Sequence, residues 1–159
     1  ELGRLKFNIV RLNLLTSVTN VIEVLRSQAE ENELELVFNV EKELLVNADE
    51  DKLREVLINI IGNAIKFTDK GRVAVTVWKQ DKTAIISVED TGRGILFKDQ
   101  QKLFKKFERI DSIKAAKKKG GTGLGLYICK NLIKGMDGEI WLKSEHGKGT
   151  TVFFTLPLS

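Results

Sequence analysis

The sequence predicts an α/β fold, a two-layer sandwich in which a mixed, mostly antiparallel sheet carries about three helices on one face. Two observations predict it. Three stretches place apolar residues at helical spacing, one from Leu14, one over Asp51 to Phe67 and one from Leu126. Short runs of period two lie around them, joined by turn residues that fold neighbours back antiparallel. With 159 residues, 42% hydrophobic and 30% charged, the chain can close a core as one domain, 1–159, without disulfides or a structural metal.

Taken in order, Leu5, Phe7 and Ile9 alternate as a short first strand. Asn13 precedes Leu14, Leu15, Val18, Val21, Ile22 and Leu25, an amphipathic helix reaching about Asn32. Leu34 to Val40 alternates as LELVFNV, Leu44 to Ala48 offers another strand, and Asp49 is placed to cap the next helix. In that helix Leu53, Val56, Leu57, Ile60, Ile61, Ala64 and Ile65 form a wide apolar face, while Glu55, Asn59, Asn63 and Lys66 share one polar stripe. Asparagine costs a helix interior up to roughly 0.7 kcal/mol relative to Ala, because its amide competes with the backbone. Two of them need a reason. Either they are buried amides that tie the helix to a loop, or they form a ligand wall. An amide oxygen suits magnesium, and Lys66 one turn on would meet phosphate.

Asp69-Lys70-Gly71 then turns into Val73 to Trp78, and Gln80-Asp81-Lys82 turns that strand back into Ala84 to Val88, an antiparallel hairpin. The second strand runs into Glu89-Asp90-Thr91-Gly92-Arg93-Gly94-Ile95, where glycines let backbone approach something closely. Lys98 to Phe107 is a short amphipathic segment carrying Leu103, Phe104 and Phe107. Ser112 to Gly121 is lysine-rich with few apolar residues and is expected to be mobile. Gly120-Gly121-Thr122-Gly123-Leu124-Gly125-Leu126 opens a helix with Leu126, Ile128, Cys129, Leu132 and Ile133 on its apolar face, and free N–H groups there would suit an anion. Ile140 to Leu142 and Thr151 to Leu156 pair across Glu145-His146-Gly147-Lys148-Gly149.

Composition excludes several classes. Twenty-six basic against 22 acidic residues give +4, short of a nucleic-acid signature, and much of the excess sits at Lys114 to Lys119. The lone Cys129, in an apolar helical context, points to packing and a reducing compartment. No apolar run approaches the roughly 18 residues of a membrane span, and no signal-peptide pattern opens the chain. The abrupt start at Glu1 reads as a fragment of a longer protein, expected to be monomeric by itself, with neither nucleic-acid nor membrane contact. His146, the only histidine, reads as an exposed loop residue.

Singly, each motif has a plainer reading. The glycines of 120–125 fit neither a P-loop nor a dinucleotide fingerprint, Asp90 could be a cap, and Phe104 and Phe107 could be core. Jointly and in this order, Asn59, Asn63 and Lys66, Asp-x-Gly-x-Gly at 90–94, Phe-x-x-Phe at 104–107 and Gly-Thr-Gly-Leu-Gly-Leu at 121–126 resemble the ATP-binding catalytic domain of sensor histidine kinases. That group lies within the gyrase, heat-shock chaperone and histidine kinase superfamily, and the resemblance covers nearly the whole chain. The sets look like the family's N, G1, F and G2 boxes, and Gly147-Lys148-Gly149-Thr150 is similar to its third glycine box.

The resemblance implies roles for ATP and magnesium residue by residue. Asp90 would accept a hydrogen bond from the adenine amino group, with Gly92, Gly94 and Ile95 beside it. Asn63, with Asn59, would hold magnesium. Lys66 would meet phosphate oxygens and Phe67 would pack near the nucleotide. Gly121, Gly123 and Gly125 would present N–H groups to the phosphates, with Thr122, Leu124, Leu126 and Thr150 in the same nucleotide-binding set. Leu96 to Gly120 would form a lid hinged by Phe104 and Phe107, with Arg109 reaching the γ-phosphate. The implied partners are a dimerisation and phosphoacceptor helical hairpin of the parent protein and, downstream, a response regulator. The implied location is cytoplasmic, with a parent that could be membrane-anchored. Hydrolases of the same fold resemble one another in carrying Glu where this chain has Asn59, and an amide cannot take a proton from water. Gyrase-like hydrolysis, an anti-sigma-type serine kinase and a DNA-contacting basic module are the competing readings.

Overall fold

The computed structural model describes residues 5–104 and 125–159. The expectations at Phe107, Arg109, Gly121, Thr122, Gly123 and Leu124, the lysines at 114–119, the mobility of 112–121 and most of the lid lie outside the described residues.

Strand β1 (Ile9–Asn13) leads into helix α1 (Leu14–Glu31), then β2 (Leu34–Val40), β3 (Leu45–Asp49), α2 (Glu50–Lys66), β4 (Gly71–Gln80) and β5 (Thr83–Asp90). A one-turn helix α3 (Phe97–Gln100) follows, and beyond residue 124 come α4 (Gly125–Gly135), β6 (Ile140–Glu145) and β7 (Gly149–Pro157). Five strands form one sheet in the order β2-β4-β5-β7-β6. Only β2 and β4 run parallel in it. The β3 and α2 segment between them supplies the long crossover that parallel neighbours require. The expected mixed, mostly antiparallel sheet with helices on one face is therefore observed.

Alternation decides which face is covered. Val73, Val75 and Val77 of β4, Ala84, Ile86 and Val88 of β5, and Phe154 and Leu156 of β7 share one core with the apolar stripes of α1, α2 and α4. In α2 every predicted apolar position is buried, from Leu53 at 0% exposure to Ala64 at 7%. A fully buried Leu or Ile is worth about 1.5–3 kcal/mol, so this stripe fixes how α2 lies on the sheet. Cys129 is buried as expected, and burial pushes its thiol up to about 12, with nearby Glu55 adding to the shift.

Two differences from the sequence reading have physical causes. The first strand begins at Ile9, and it pairs with β3 as a separate two-stranded ribbon outside the main sheet. Phe7 precedes the strand, its ring packed against Gly135, where any side chain would collide with it. In the described part of the amphipathic segment expected over Lys98 to Phe107, the helix is Phe97–Gln100 and residues 101–104 form a turn.

Asp49 joins the ribbon to α2. Its Oδ1 accepts from Lys52 N at 3.1 Å and its Oδ2 from Asn8 N at 2.8 Å, and only 6% of the residue is exposed. Burial raises its carboxyl pKa, but the hydrogen bonds from Asn8 and Lys52 and the charge of Lys52 outweigh that and leave it lowered from 3.8. The stabilisation is therefore present above pH 3.8 and lost as pH falls through the lower folded-state value. Asp49→Ala should cost about 1–3 kcal/mol in urea unfolding at pH 7, and the gap to the wild type should close below that range. A constant gap down to strong acid would detach Asp49 from this role.

Candidate functional site

A cleft opens where the C-terminal half of α2 meets the end of β5 and the start of β7. Helix α2 contributes Ile60, Asn63, Ala64 and Phe67 at its C-cap, and the loop after β5 contributes Asp90, Arg93, Gly94 and Ile95. Leu103, Leu126, Thr150 and Val152 complete a mainly apolar lining around roughly 650 Å³ of empty space, open mouth included.

Strand register places the partly buried carboxylate of this cleft. Asp90 is the last residue of β5, opposite Thr150 on β7 and Val73 on β4. Its Oδ1 accepts from Gly92 N at 2.9 Å and Thr150 N at 3.3 Å. Burial dominates its titration and raises the carboxyl to about 6, against the lowering effect of those two hydrogen bonds, while Glu89 adds a small upward push. One pKa unit corresponds to about 1.4 kcal/mol, so the ionised carboxylate costs on the order of 3 kcal/mol at neutral pH.

The backbone from 90 to 95 is threaded tightly. A Cβ on Gly92 would come within 2.6 Å of the Phe67 carbonyl oxygen, and Gly94, at φ +71°, lies against the Glu145 carbonyl. Only glycine fits either position. Thr91 Oγ1 accepts from Arg72 N at 3.0 Å and donates to Lys70 O at 3.1 Å, and Gly147 N donates to Arg93 O at 2.6 Å. Arg93 also stands 3.5 Å from Asp69, an exposed pair that contributes little.

The asparagine stripe of α2 faces the start of α4. A Cβ built on Gly125 would lie 3.4 Å from Asn63 Nδ2 and 3.7 Å from Asn59 Oδ1. Asn59 gives its Nδ2 to Glu55 O at 3.0 Å, which leaves its oxygen toward Gly125. Neither asparagine is fully buried. Among the described residues no trio of His, Cys, Asp or Glu gathers as a metal site. An ion held by these neutral amide oxygens would take its remaining ligands from phosphate and water, which is magnesium's habit.

Of the residues picked out from sequence, Asn63, Phe67, Asp90, Gly94, Ile95, Leu126 and Thr150 line the cleft together. Gly92 adjoins Asp90, and Gly125 adjoins the two asparagines. Phe104 packs on the small apolar cluster of Ile95 and Leu103. Lys66 ends α2 half-buried and is not among the cleft-lining residues. His146 is exposed in the β6–β7 turn. Sequence reasoning missed Ile60, Ala64, Arg93, Leu103 and Val152 as lining. The apolar ones carried only the signal of helix or strand periodicity.

Residues 48–159 match the family of histidine kinase-, DNA gyrase B-, and HSP90-like ATPases, and the chain belongs to that family. Within it, the chain is an ATP-binding catalytic domain of the sensor histidine kinase type. It is 42% identical over 131 residues to sensor histidine kinase WalK of Bacillus subtilis, covering 80% of this chain and 21% of that protein. It is 34% identical over 161 residues to the circadian input-output histidine kinase CikA of Synechococcus elongatus, covering 99% and 21%. The chain thus spans about a fifth of the length of these curated relatives. Full-length ShkA, solved in complex with AMPPNP, superposes with a TM-score of 0.86 at 29% identity, covering 99% of this chain and 33% of that one. The nucleotide-free catalytic domain of histidine kinase ThkA gives 0.83 at 27% identity, covering 95% and 96%.

Asp90→Asn keeps an oxygen for the Gly92 and Thr150 N–H groups and removes the buried charge. Between pH 3.8 and about 6 the folded wild type holds a proton that the unfolded chain has lost, so the penalty is full above pH 6 and fades below it. The variant should therefore unfold at about 1–3 kcal/mol higher free energy at pH 8, with the advantage vanishing toward pH 4, while its ATP affinity falls by on the order of 100-fold. A variant no more stable at pH 8 than the wild type would remove the buried-charge account.

Proposed function

We propose that this chain binds ATP with magnesium and delivers the γ-phosphoryl group to a histidine on a separate dimerisation hairpin of its parent protein, the first step of two-component signalling through a response regulator. The observation that carries this reading is the cleft itself, with a partly buried carboxylate in its lining and two asparagine amides of α2 facing Gly125 of α4. An apolar slot ending in an acceptor fits adenine, whose exocyclic amino group donates. The amides and the start of α4 suit the phosphates. In this reading the whole chain is the catalytic unit, working in the cytoplasm as a monomer. It recognises ATP, not nucleic acid or membrane. No helix of the described residues is long and apolar enough to cross a membrane.

The residues of the chain would act mainly by positioning. Asp90 would fix the base, with Gly92, Gly94, Ile95 and Thr150 shaping its surroundings, and Phe67 and Leu126 would pack along the nucleotide. Asn63, assisted by Asn59, would hold the magnesium, which would neutralise charge on the phosphates. Lys66 and Arg109 would add positive charge, and Gly121, Thr122, Gly123, Leu124 and Gly125 would offer N–H groups. Phe104 and Phe107 would set the covering segment. Asn59 separates this reading from hydrolysis, since its nitrogen is given to Glu55 O and its oxygen is an amide's, so it cannot deprotonate water.

Label transfer from ATP carrying a radioactive γ-phosphate tests the proposal. The isolated chain should bind ATP without consuming it. Adding the parent hairpin as a separate domain should give weak phosphohistidine formation, because the tether's effective concentration, on the order of mM, is absent. Asn63→Ala should abolish that transfer. Brisk phosphate release by the chain alone, indifferent to the hairpin, would overturn the kinase reading in favour of an ATPase.

A further inference from the structure

A chain of hydrogen bonds runs from the Asp90 carboxylate to helix α3, and two of its members, Ser144 and Gln100, belong to no motif. Thr150, whose N–H binds Asp90, has its Oγ1 2.7 Å from Ser144 Oγ. Ser144 Oγ accepts from Ile95 N at 2.8 Å and lies 3.0 Å from Gly149 O. Gln100 Nε2 then donates to both Ile95 O and Ser144 O, each at 3.0 Å. Both backbone groups of Ile95, a cleft-wall residue 7% exposed, are thereby held by two side chains.

These ties matter because, among the described residues, the support on the α3 side of Ile95 is small. Helix α3 is one turn long, and its N-cap, Leu96, makes no side-chain hydrogen bond. The apolar support is the small cluster of Ile95 and Leu103 with Phe104, Leu126 and Leu142 beside them. A side-chain amide has two N–H donors in fixed geometry, and two carbonyls are placed to receive them here. Removing the amide would take this donor from both carbonyls.

We propose that Gln100 and Ser144 are positioning residues for the base end of the pocket: their amide and hydroxyl fix the Ile95 backbone to β6, and so set the width of the slot between Ile95 and the α2 wall. The proposal rests on the nucleotide reading of this cleft. Neither residue touches the ligand. Each acts through Ile95, and Ser144 also acts through Thr150 on Asp90. A base wall set by hydrogen bonds discriminates by fit, so its loosening lowers affinity for the base moiety while leaving the phosphate contacts as they are.

The experiment is calorimetric titration of ADP and of adenosine into the wild type, Gln100→Leu, Ser144→Ala and Ser144→Thr, with Asp90→Asn alongside. Gln100→Leu and Ser144→Ala should each weaken both ligands by about 5–20-fold, equally for ADP and adenosine, which places the loss at the base. Ser144→Thr keeps the hydroxyl and should stay within about 2-fold of wild type. In the transfer assay with the added hairpin, Gln100→Leu should raise KM for ATP with kcat unchanged, a split that a general loss of fold would not give. Wild-type affinities in both Gln100→Leu and Ser144→Ala, with Asp90→Asn still impaired, would overturn the proposal and leave the nucleotide reading standing. Wild-type affinity in Asp90→Asn would strike the nucleotide reading itself.

Discussion

The site depends on one unfavourable interaction that the fold enforces, the partial burial of the Asp90 carboxylate at the end of β5. Its desolvation is only partly offset by the N–H groups of Gly92 and Thr150. To supply those donors, β7 must pair with β5 so that Thr150 stands opposite Asp90, and the chain must reverse within two residues at Gly92. That reversal passes close to the Phe67 carbonyl, which forbids a side chain at Gly92. A buried charge that weakens the fold and has only its own neighbours for support is the expected mark of a functional position.

Helix α2 is the second constraint, because it serves two surfaces. Its apolar stripe is sealed into the core shared by the sheet and the other long helices, which prevents rotation. The polar stripe is therefore delivered at a fixed angle toward the first turn of α4, and Asn59 and Asn63 meet the Gly125 backbone there. Packing that looks purely structural thus sets the geometry of the polar groups. A one-residue slip in α2 would turn the amides by about 100° and take them away from the cleft.

Much of this was legible in sequence because the signals were periodic or locally unusual. Strand β2 was read at its observed bounds, α2 within one residue at each end, and the Asp49 cap was identified from side-chain type. The pair of asparagines stood out because the residue is unfavourable in a helix interior. What escaped was tertiary. The first strand starts at Ile9 and not Leu5, and Phe7 packs on Gly135, 128 positions along the chain. The separation of the β1–β3 ribbon from the main sheet leaves no local trace, and Gln100 and Ser144 look like ordinary polar residues until positions 44 apart in the chain are folded together. Lys66 shares a stripe with the asparagines by spacing, but as the last residue of α2 it is not among those lining the cleft.

The central claim is that a fixed, buried carboxylate reads the base. An ionised Asp90 accepts a hydrogen bond from adenine's amino group but opposes the carbonyl oxygen that guanine carries at the same place, acceptor against acceptor. Calorimetric titration of ATP and GTP into the chain, with magnesium at pH 8 where the carboxylate is ionised, tests this most directly. The account predicts ready binding of ATP and discrimination against GTP by on the order of 10⁴ or more. Comparable affinities for the two nucleotides would contradict it.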